Sequence, residues 1–391
     1  MSSTITDQLA TTPLATTIEE PLARLVAFEP TTFPVLSVYL NTQPDQHGRT
    51  PDAAPYLQRE FKALARTWAS SSPERQSFDR DVERILSYVT DKIDSTANGV
   101  AIFACWGAEE FFEAIQLTTP VNDNRVYAYN QPHLYQLARL DELYPRYAAV
   151  LTDTNTARIF VFGLGQVIDA EAVKGKKVHR VKVGGWSQAR YQRRVGNAHH
   201  EHAKEVVEHL AQIVREDHVS HIILAGDSVV IPLLQEQLPQ EMGPMVEVMK
   251  LDIHASDQDV MTATLEKLQE QETSTAAEKV DRLMNQYRAR GLAVVGLHET
   301  LEALANGQVE ELLISGALEE SHPRPEEVEA IFAPEIPDAV GGTESDDPRQ
   351  ASLPDLLVTK AKQTGATVTF IEDAALLEST GGVGAFLRWR A

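Results

Sequence analysis

The chain has 391 residues, 43% of them hydrophobic, which is enough to bury a separate core in each of two or three domains. No run approaches the roughly 18 consecutive apolar residues of a membrane span, and the N-terminal residues lack a basic segment followed by an apolar one. The single cysteine excludes disulfides within the chain and cysteine-rich zinc sites. We therefore expect a cytoplasmic protein with no membrane partner.

The first predicted domain covers residues 21–143 and follows a Ser/Thr-rich N-terminus, 1–20, that we expect to be mobile. Apolar runs predict buried strands, and apolar residues at helical spacing predict two helices that pack on them. Ser72-Pro73 is a start signal for the second helix. The predicted elements are a strand at 33–40, helices at 57–68 and 78–93, and strands at 99–106 and 111–117.

A second domain is predicted at 144–280. It opens with two apolar runs on either side of the polar turn Asp153–Thr156, a pattern typical of a β-hairpin. Strand and helix patterns then alternate, as in a layered α/β domain. The predicted elements are strands at 148–151 and 157–162, a helix at 203–214, a strand at 222–225 and a long charged helix at 256–290.

The third predicted domain covers residues 281–391. Residues 319–353 are rich in Pro, Gly and acidic residues, and this composition predicts a flexible insertion. The elements on either side again alternate between strand and helix. They are predicted as strands at 292–295 and 311–315, helices at 299–305 and 354–364, a strand at 367–371 and an apolar ending at 381–388.

One short segment carries a charge opposite to that of the rest of the chain. Residues 174–194 contain eight Lys or Arg and no Asp or Glu, whereas the whole chain carries −22. Because an acidic surface repels nucleic acid, any phosphate contact must be local. A solvated basic loop is the alternative, but clustering around a glycine pair favours phosphate binding. The predicted RNA-binding residues are Lys174, Lys176, Lys177, Arg180, Lys182, Gly184, Gly185, Trp186, Gln188, Arg190, Arg193 and Arg194.

The glycine pair also suggests a catalytic interpretation. Adjacent glycines let another molecule approach the backbone closely. A glutamine beside exposed backbone N–H groups is able to orient water and to stabilise the oxyanion of an ester under attack. Gly184, Gly185 and Gln188 are therefore the candidate catalytic residues if the protein is a hydrolase. A glycine turn in a basic hairpin is the alternative.

Histidine and cysteine side chains are two further candidates for functional sites. His199 and His202 are three residues apart on a predicted helix and can share a face, as metal ligands do. A polar helix face next to RNA explains them equally well, so we expect no metal and no cofactor. Cys105 lies within an apolar run and is expected to be a buried core thiol rather than a nucleophile.

Two segments resemble the archaeo-eukaryotic class-one release factors. Residues 184–190 read GGWSQAR, where release factors carry Gly-Gly-Gln ahead of an Arg-rich helix. The elements at 299–305 and 311–315 and the ending 382–388 resemble the third domain of that superfamily, which also includes the rescue protein Pelota and bacterial relatives. The resemblance covers residues 20–391.

The resemblance implies a layered α/β fold of three domains. The N-terminal domain is expected on the codon side, and the middle domain is expected to reach the peptidyl-transferase centre. The C-terminal domain, similar to a kink-turn-binding ribosomal protein, is expected to dock a translational GTPase. The implied partners are the 70S ribosome, through 16S and 23S rRNA at its A site, and a GTPase such as elongation factor Tu, with no DNA partner.

Departures from the family pattern separate the possible functions. Two residues lie between Gln188 and the glycine pair, so the geometry for ester hydrolysis does not carry over. The N-terminal domain lacks the Asn-Ile-Lys-Ser tetrapeptide that reads stop codons. A protein that keeps the tRNA-like outline but lacks both ester hydrolysis and stop-codon reading resembles the bacterial hibernation factors, which occupy the A site and block translation. The alternatives are a rescue peptidyl-tRNA hydrolase that uses Gln188 and an RNA-binding stress protein that acts away from ribosomes.

Overall fold

The chain folds into two compact units. One unit combines the chain up to Glu142 with the chain from Glu270 onward, and the other is Leu143–Gln269. Among the helices in the described part of the chain, none has the length and apolarity needed to cross a membrane. The computed structural model describes residues 13–45, 47, 49, 51–174, 186–318 and 352–390, with the backbone alone described at 186–195.

The N-terminal half of the first unit contains a four-stranded antiparallel sheet in the order β3-β2-β1-β4. Helices α2 and α3 cover one face with a core that includes Phe61, Phe78 and Ile85. The five predicted elements are confirmed, whereas α1, β4 and α4 were not predicted. The elements are α1 (Glu19–Val26), β1 (Val35–Asn41), α2 (Ala54–Leu64), α3 (Pro73–Asp91), β2 (Gly99–Cys105), β3 (Phe111–Leu117), β4 (Arg125–Tyr129) and α4 (Tyr135–Leu143).

Local signals explain several boundaries in this half. The Ser72 hydroxyl accepts the backbone N–H of Arg75 at 3.1 Å and so caps α3 as the sequence predicts. The prediction that Cys105 is a core thiol is confirmed, because the side chain is buried and burial raises its pKa to about 12. Residues 1–20 were predicted to be mobile, but the last of them are bound to the first unit. Ala15 donates its N–H to Gln116 O at 2.8 Å, and Ile18 is buried.

The second unit contains one mixed sheet in the order β7-β6-β5-β8-β9. Strands β5, β6 and β7 are antiparallel neighbours, and β8 and β9 run parallel to β5. One core forms between the sheet and α5 and α6, and α7 contributes Val260 and Leu268 to a second core on Tyr147 and Phe162. The elements are β5 (Tyr147–Thr152), β6 (Thr156–Gly163), β7 (Gln166–Lys174), α5 (Trp186–Glu216), β8 (His221–Gly226), α6 (Ile231–Gln237), β9 (Val246–Met249) and α7 (Asp257–Arg288).

The C-terminal half of the first unit contains a sheet in the order β10-β13-β11-β12, in which β11 and β12 are parallel. Its core includes Leu283 of α7, Leu313 and Phe386. The predicted strand at 367–371 is confirmed with the same bounds, and the insertion predicted at 319–353 lies outside the described residues up to 351. The elements are β10 (Ala293–Val295), α8 (Leu297–Ala305), β11 (Val309–Ser315), α9 (Leu353–Gln363), β12 (Thr367–Ile371), α10 (Ala374–Leu377) and β13 (Val383–Leu387).

A buried carboxylate joins the two halves of the first unit. Asp355, in the first turn of α9, contacts His133 Nδ1, and both side chains are 0% exposed. The other carboxylate oxygen accepts the backbone N–H groups of Leu134 at 2.8 Å and Tyr135 at 3.0 Å. Tyr135 also donates its hydroxyl to Ser315 O at 2.9 Å.

The three sheets and their helices confirm the α/β fold that the sequence predicts. The predicted boundaries of three domains stay predictions.

Candidate functional site

The basic segment connects an edge strand, β7, to the N-terminal end of helix α5 in the second unit. Lys174 is the last residue of β7, and Trp186 is the first residue of α5. Residues 175–185 lie outside the described part of the chain, and with them Lys176, Lys177, Arg180, Lys182, Gly184 and Gly185. The remaining predicted residues lie in the first three turns of α5, and they are Trp186, Gln188, Arg190, Arg193 and Arg194.

The segment leaves the sheet at the edge where the parallel strands end. Lys174 pairs with Thr156, which directly follows the turn after β5. Strand β5 ends at Thr152, and its parallel neighbour β8 ends opposite it at Gly226. The carboxyl edge of parallel strands is where open α/β sheets bind ligands. The cations therefore begin at the edge of the sheet that favours a binding site.

Helix α5 extends well beyond the sheet on that side. Its second half packs on the sheet through Ala203, Val206 and Leu210, and the helix ends just before β8 begins. Helix α5 therefore runs antiparallel to β8. The 15 residues from 202 to 216 span about 22 Å, which matches the roughly 20 Å length of a six-residue strand. Residues 186–201 extend α5 by a further length of about 24 Å on the N-terminal side of His202, where the His200 carbonyl accepts from Gln237 of α6 at 3.3 Å.

The sequence predicts a basic loop over residues 174–194, whereas residues 186–194 are helical in the structure. Gly184 and Gly185 are the last strong helix-breaking residues before Gly196, and the residues between are compatible with a helix. Helix formation is also cooperative, so the packed second half favours its continuation toward the glycine pair. Gln188 consequently lies in the first turn of a helix.

At this edge of the sheet, the side chain of Asp153 stabilises the turn that follows β5. Its carboxylate accepts the backbone N–H groups of Asn155 and Thr156, each at 2.7 Å. Burial would raise the pKa of Asp153, but these donors and the nearby His202 outweigh it and hold the pKa below its ordinary value. This fixed turn lies beside Lys174, the start of the basic segment.

The interpretation of His202 as part of a polar helix face next to RNA is wrong, because its side chain is buried. It is only 2% exposed, and neither ring nitrogen has a hydrogen-bond partner among the described residues. The signal was present, because His202 shares helical spacing with the core residues Val206 and Leu210. No group of three or more potential metal ligands occurs in the described part of the chain, His199 and His202 included.

Strand β8 ends at a glycine, Gly226, at the edge of the sheet where the basic segment begins. Gly226 has φ +125°, and a Cβ there would lie 1.9 Å from Thr152 O. We expect Gly226→Ala to reduce the free energy of unfolding by at least about 1–3 kcal/mol, from backbone strain alone. Urea unfolding measures the change. Gly243→Ala is the matched control, because a Cβ at Gly243 meets no atom within 4 Å; equal stability of the two variants would contradict the interpretation.

The arrangement is suited to binding anions. The first four N–H groups of α5 have no partners within the helix, and they carry the positive end of the helix dipole. No acidic residue lies in the first turn to neutralise it. In the sequence, cations occur on both sides of this helix start, and a glycine pair directly precedes it. These features together can hold several phosphates.

Comparison with known proteins gives two family matches. Residues 132–269 match the model of bacterial archaeo-eukaryotic release factor family 10, and residues 260–391 match the model of eRF1 domain 3. The first match contains the whole basic segment, and the second contains the C-terminal sheet. No curated protein sequence matches the chain.

Solved structures with similarity include a translation termination factor, a termination-like factor and Pelota. The archaeal translation termination factor aRF1 is 13% identical with a TM-score of 0.26, and the alignment covers 95% of this chain and 97% of that one. Dom34 of S. cerevisiae is 11% identical with a TM-score of 0.43, over 75% and 79%. Archaeal Pelota, in a model of its ribosome-bound state, is 14% identical with a TM-score of 0.39, over 97% and 96%.

These identities and TM-scores are low, and the family models give the more specific similarity. The two models match adjoining parts of the chain, and the matches overlap at residues 260–269. Together they span residues 132–391, so this part of the chain is similar to archaeo-eukaryotic release factors, first to bacterial family 10 and then to eRF1 domain 3.

Proposed function

We propose that this protein binds the A site of the 70S ribosome, from the decoding centre to the peptidyl-transferase centre, and keeps the ribosome in a hibernating state. Translation stops because aminoacyl-tRNA is excluded from the occupied site. The observation that carries the proposal is the segment of eight cations between β7 and the projecting end of α5, in the region matched to a release factor family.

Charge supports the use of this segment as the contact with large-subunit RNA. The whole chain carries −22 and the segment +8, so the other 370 residues sum to −30. RNA phosphates repel such an acidic body and are attracted to its basic parts, of which this segment carries the most cations. The N-terminal part of α5 suits this role, because Arg190, Arg193 and Arg194 all belong to its first three turns.

The position of Gln188 favours occupation of the site over hydrolysis. Ester hydrolysis requires donors fixed around the attacked carbonyl to within a fraction of an ångström. Gln188 is separated from Gly184-Gly185 by two residues and lies within the first turn of α5. A glycine pair without an adjacent glutamine still lets RNA approach the backbone closely, but it lacks the donor beside the glycines that ester hydrolysis requires. The combination resembles Balon, a bacterial hibernation factor that occupies the A site beside elongation factor Tu.

For the C-terminal half we propose docking of a translational GTPase, with elongation factor Tu as the partner. The match of residues 260–391 to eRF1 domain 3 supports this part of the proposal. The N-terminal sheet would then face the decoding centre and 16S rRNA. Both assignments follow the domain order implied by the resemblance.

A cryo-EM map of the protein bound to 70S ribosomes tests the proposal directly. We expect residues 174–194 among the phosphates of 23S rRNA near the peptidyl-transferase centre. A map in which this segment points to solvent, or in which the protein lies outside the A site, would overturn the proposal.

The alternative function is a rescue hydrolase, and Gln188→Ala separates the two. We expect purified protein to leave labelled peptidyl-tRNA intact on stalled ribosomes, and Gln188→Ala to behave like the parent protein. Gel separation of released peptide from peptidyl-tRNA measures the result, with Gln192→Ala on the same helix as the matched control. Codon-independent release that falls about 10²–10³-fold in Gln188→Ala alone would establish the hydrolase.

A further inference from the structure

A second cluster of cations lies at the C-terminal sheet, far along the chain from the basic segment. Residues 285–292 end α7 and enter β10, and residues 386–390 end β13. These two stretches contain four arginines and no acidic residue, in a chain that carries −22. All four arginines are exposed. They are Arg288, Arg290, Arg388 and Arg390.

The two stretches are adjacent in space. Strand β10 is at the edge of its sheet and pairs with β13, with Ala293 opposite Phe386. The pairing continues beyond the strands, since Leu387 donates its N–H to Leu292 O at 3.0 Å. The two arginine-containing stretches therefore lie side by side at this end of the β10–β13 pair.

An exposed aromatic residue, Trp389, lies between Arg388 and Arg390 in the chain. Trp389 is 49% exposed and Leu292 is 43% exposed, and they are two of the five exposed large hydrophobic residues in the described part of the chain. Of the tryptophans whose side chains are described, Trp68 is buried, and Trp106 is covered by Arg80 at 4.7 Å. Trp389 alone among them is largely available to another molecule.

The backbone that carries Trp389 is held on both sides. Arg388 donates to the carbonyl oxygens of Thr364 and Gly365, at 3.1 and 2.6 Å. Arg390 donates to those of Arg290 and Gly291, at 3.1 and 3.0 Å. A terminal strand residue without such contacts would lose much conformational freedom on binding. Trp389 is thus presented from an ordered backbone and needs little further ordering to make a contact.

Two acidic residues of β11, Glu310 and Glu311, lie beside β13. Glu311 of β11 accepts from Lys279 at 2.8 Å and lies 3.8 Å from Arg282. Arg282 in turn lies over the ring of Phe386 at 4.5 Å. Glu311 is therefore paired with cations of α7, whereas Glu310, in the bulge opposite β13, is exposed and offsets part of the positive charge of the four arginines.

From this arrangement we infer that Leu292, Trp389 and the four arginines form a second RNA-binding surface, on which an unpaired base stacks on Trp389 while the arginines contact flanking phosphates. Stacking of bases on aromatic side chains with cations along the backbone is how proteins bind single-stranded nucleic acid. RNA offers such bases in loops and bulges. An acidic protein would match the charge but would not require a flat aromatic ring.

Fluorescence anisotropy with a labelled single-stranded RNA of about 12 nucleotides tests this surface in the full-length protein. The measurement is made in two backgrounds, the parent chain and a variant whose eight cations in 174–194 are replaced by Gln. We expect Trp389→Ala to weaken binding between about fivefold and a hundredfold in both backgrounds, and Trp389→Phe to retain most of the affinity. Arg59→Ala, which removes an exposed arginine lying over Tyr56, is the matched control and should bind as the parent does.

Trp389 lies beyond β13, so its replacement should leave the fold intact, and circular dichroism melting checks this. Equal RNA affinity of the parent and Trp389→Ala in both backgrounds would overturn the inference, as would loss of all binding when the basic segment alone is neutralised. A labelled poly-glutamate peptide is the probe for an acidic protein. If it binds as tightly as RNA and with the same dependence on Trp389, the partner is a protein and the inference is wrong. Because the second background lacks the basic segment, this outcome is independent of the A-site proposal.

Discussion

Reversing the charge of residues 174–194 is expected to abolish cosedimentation of the protein with 70S ribosomes. Replacing all eight Lys and Arg by Glu removes every cation of the segment. Contacts with six to ten phosphates account for about 10³–10⁵ in affinity between low and physiological salt. Pelleting through a sucrose cushion over a series of KCl concentrations measures the loss and, in the parent protein, the salt dependence.

Two sets of three substitutions give a matched comparison. Changing Arg190, Arg193 and Arg194 to Glu should weaken binding strongly and reduce its dependence on salt. The control changes Lys204, Arg215 and Lys250, which are exposed cations of the same unit outside the segment, and should retain binding. If both sets weaken binding equally, total charge rather than the segment controls it. If the variant with all eight changes still cosediments, the segment is not the anchor.

The elements that the sequence predicts correctly are those with strong local signals. Strand β12 is a short run of β-branched and aromatic residues, and its predicted bounds, 367–371, are those observed. Helix α3 begins where Ser72-Pro73 predicts, because the serine hydroxyl caps the first turn. In both cases neighbouring residues alone determine where the element begins and ends.

Strand β7 and the first half of α5 were missed because their local signals are weak. Strand β7 is an edge strand that exposes most of its residues, and Asp169 and Glu171 give it the composition of a loop. The first turns of α5 carry cations and no apolar stripe, so the helical period becomes visible only from Ala203 onward. The packed part of α5 extends the helix toward Gly185, and this effect is cooperative rather than local.

The junction within the first unit depends on residues too distant in sequence for any local pattern to reveal. His133 and Asp355 are 222 positions apart. Ser352 and Asp355 have the spacing of a helix-start signal, and Ser352 does cap α9 by accepting the N–H of Asp355 at 3.4 Å. The sequence pattern thus indicates a helix start, whereas the carboxylate binds residues 133–135. Only the folded chain reveals this second role.

Asp355→Ala is expected to reduce the free energy of unfolding of the first unit by about 3–5 kcal/mol. The carboxylate is 0% exposed and serves His133, the N–H groups of Leu134 and Tyr135, and the hydroxyl of Ser352. Its removal leaves these groups buried without their acceptor, and that desolvation penalty adds to the lost contacts. Asp355→Asn retains an acceptor for the backbone N–H groups but loses the charge, so we expect a smaller loss.

Asp373→Ala is the matched control for this change. Asp373 also lies at the start of a helix, α10, where its exposed carboxylate accepts the N–H of Ala375 at 3.1 Å. Loss of such an exposed cap costs about 1 kcal/mol. Urea unfolding compares the variants, and hydrogen exchange locates the effect, which should appear at α4 and α9 and spare β5 and β8 of the second unit. A cost for Asp355→Ala no larger than that for Asp373→Ala would mean that the two halves are held together by their apolar contacts, with the buried carboxylate contributing little.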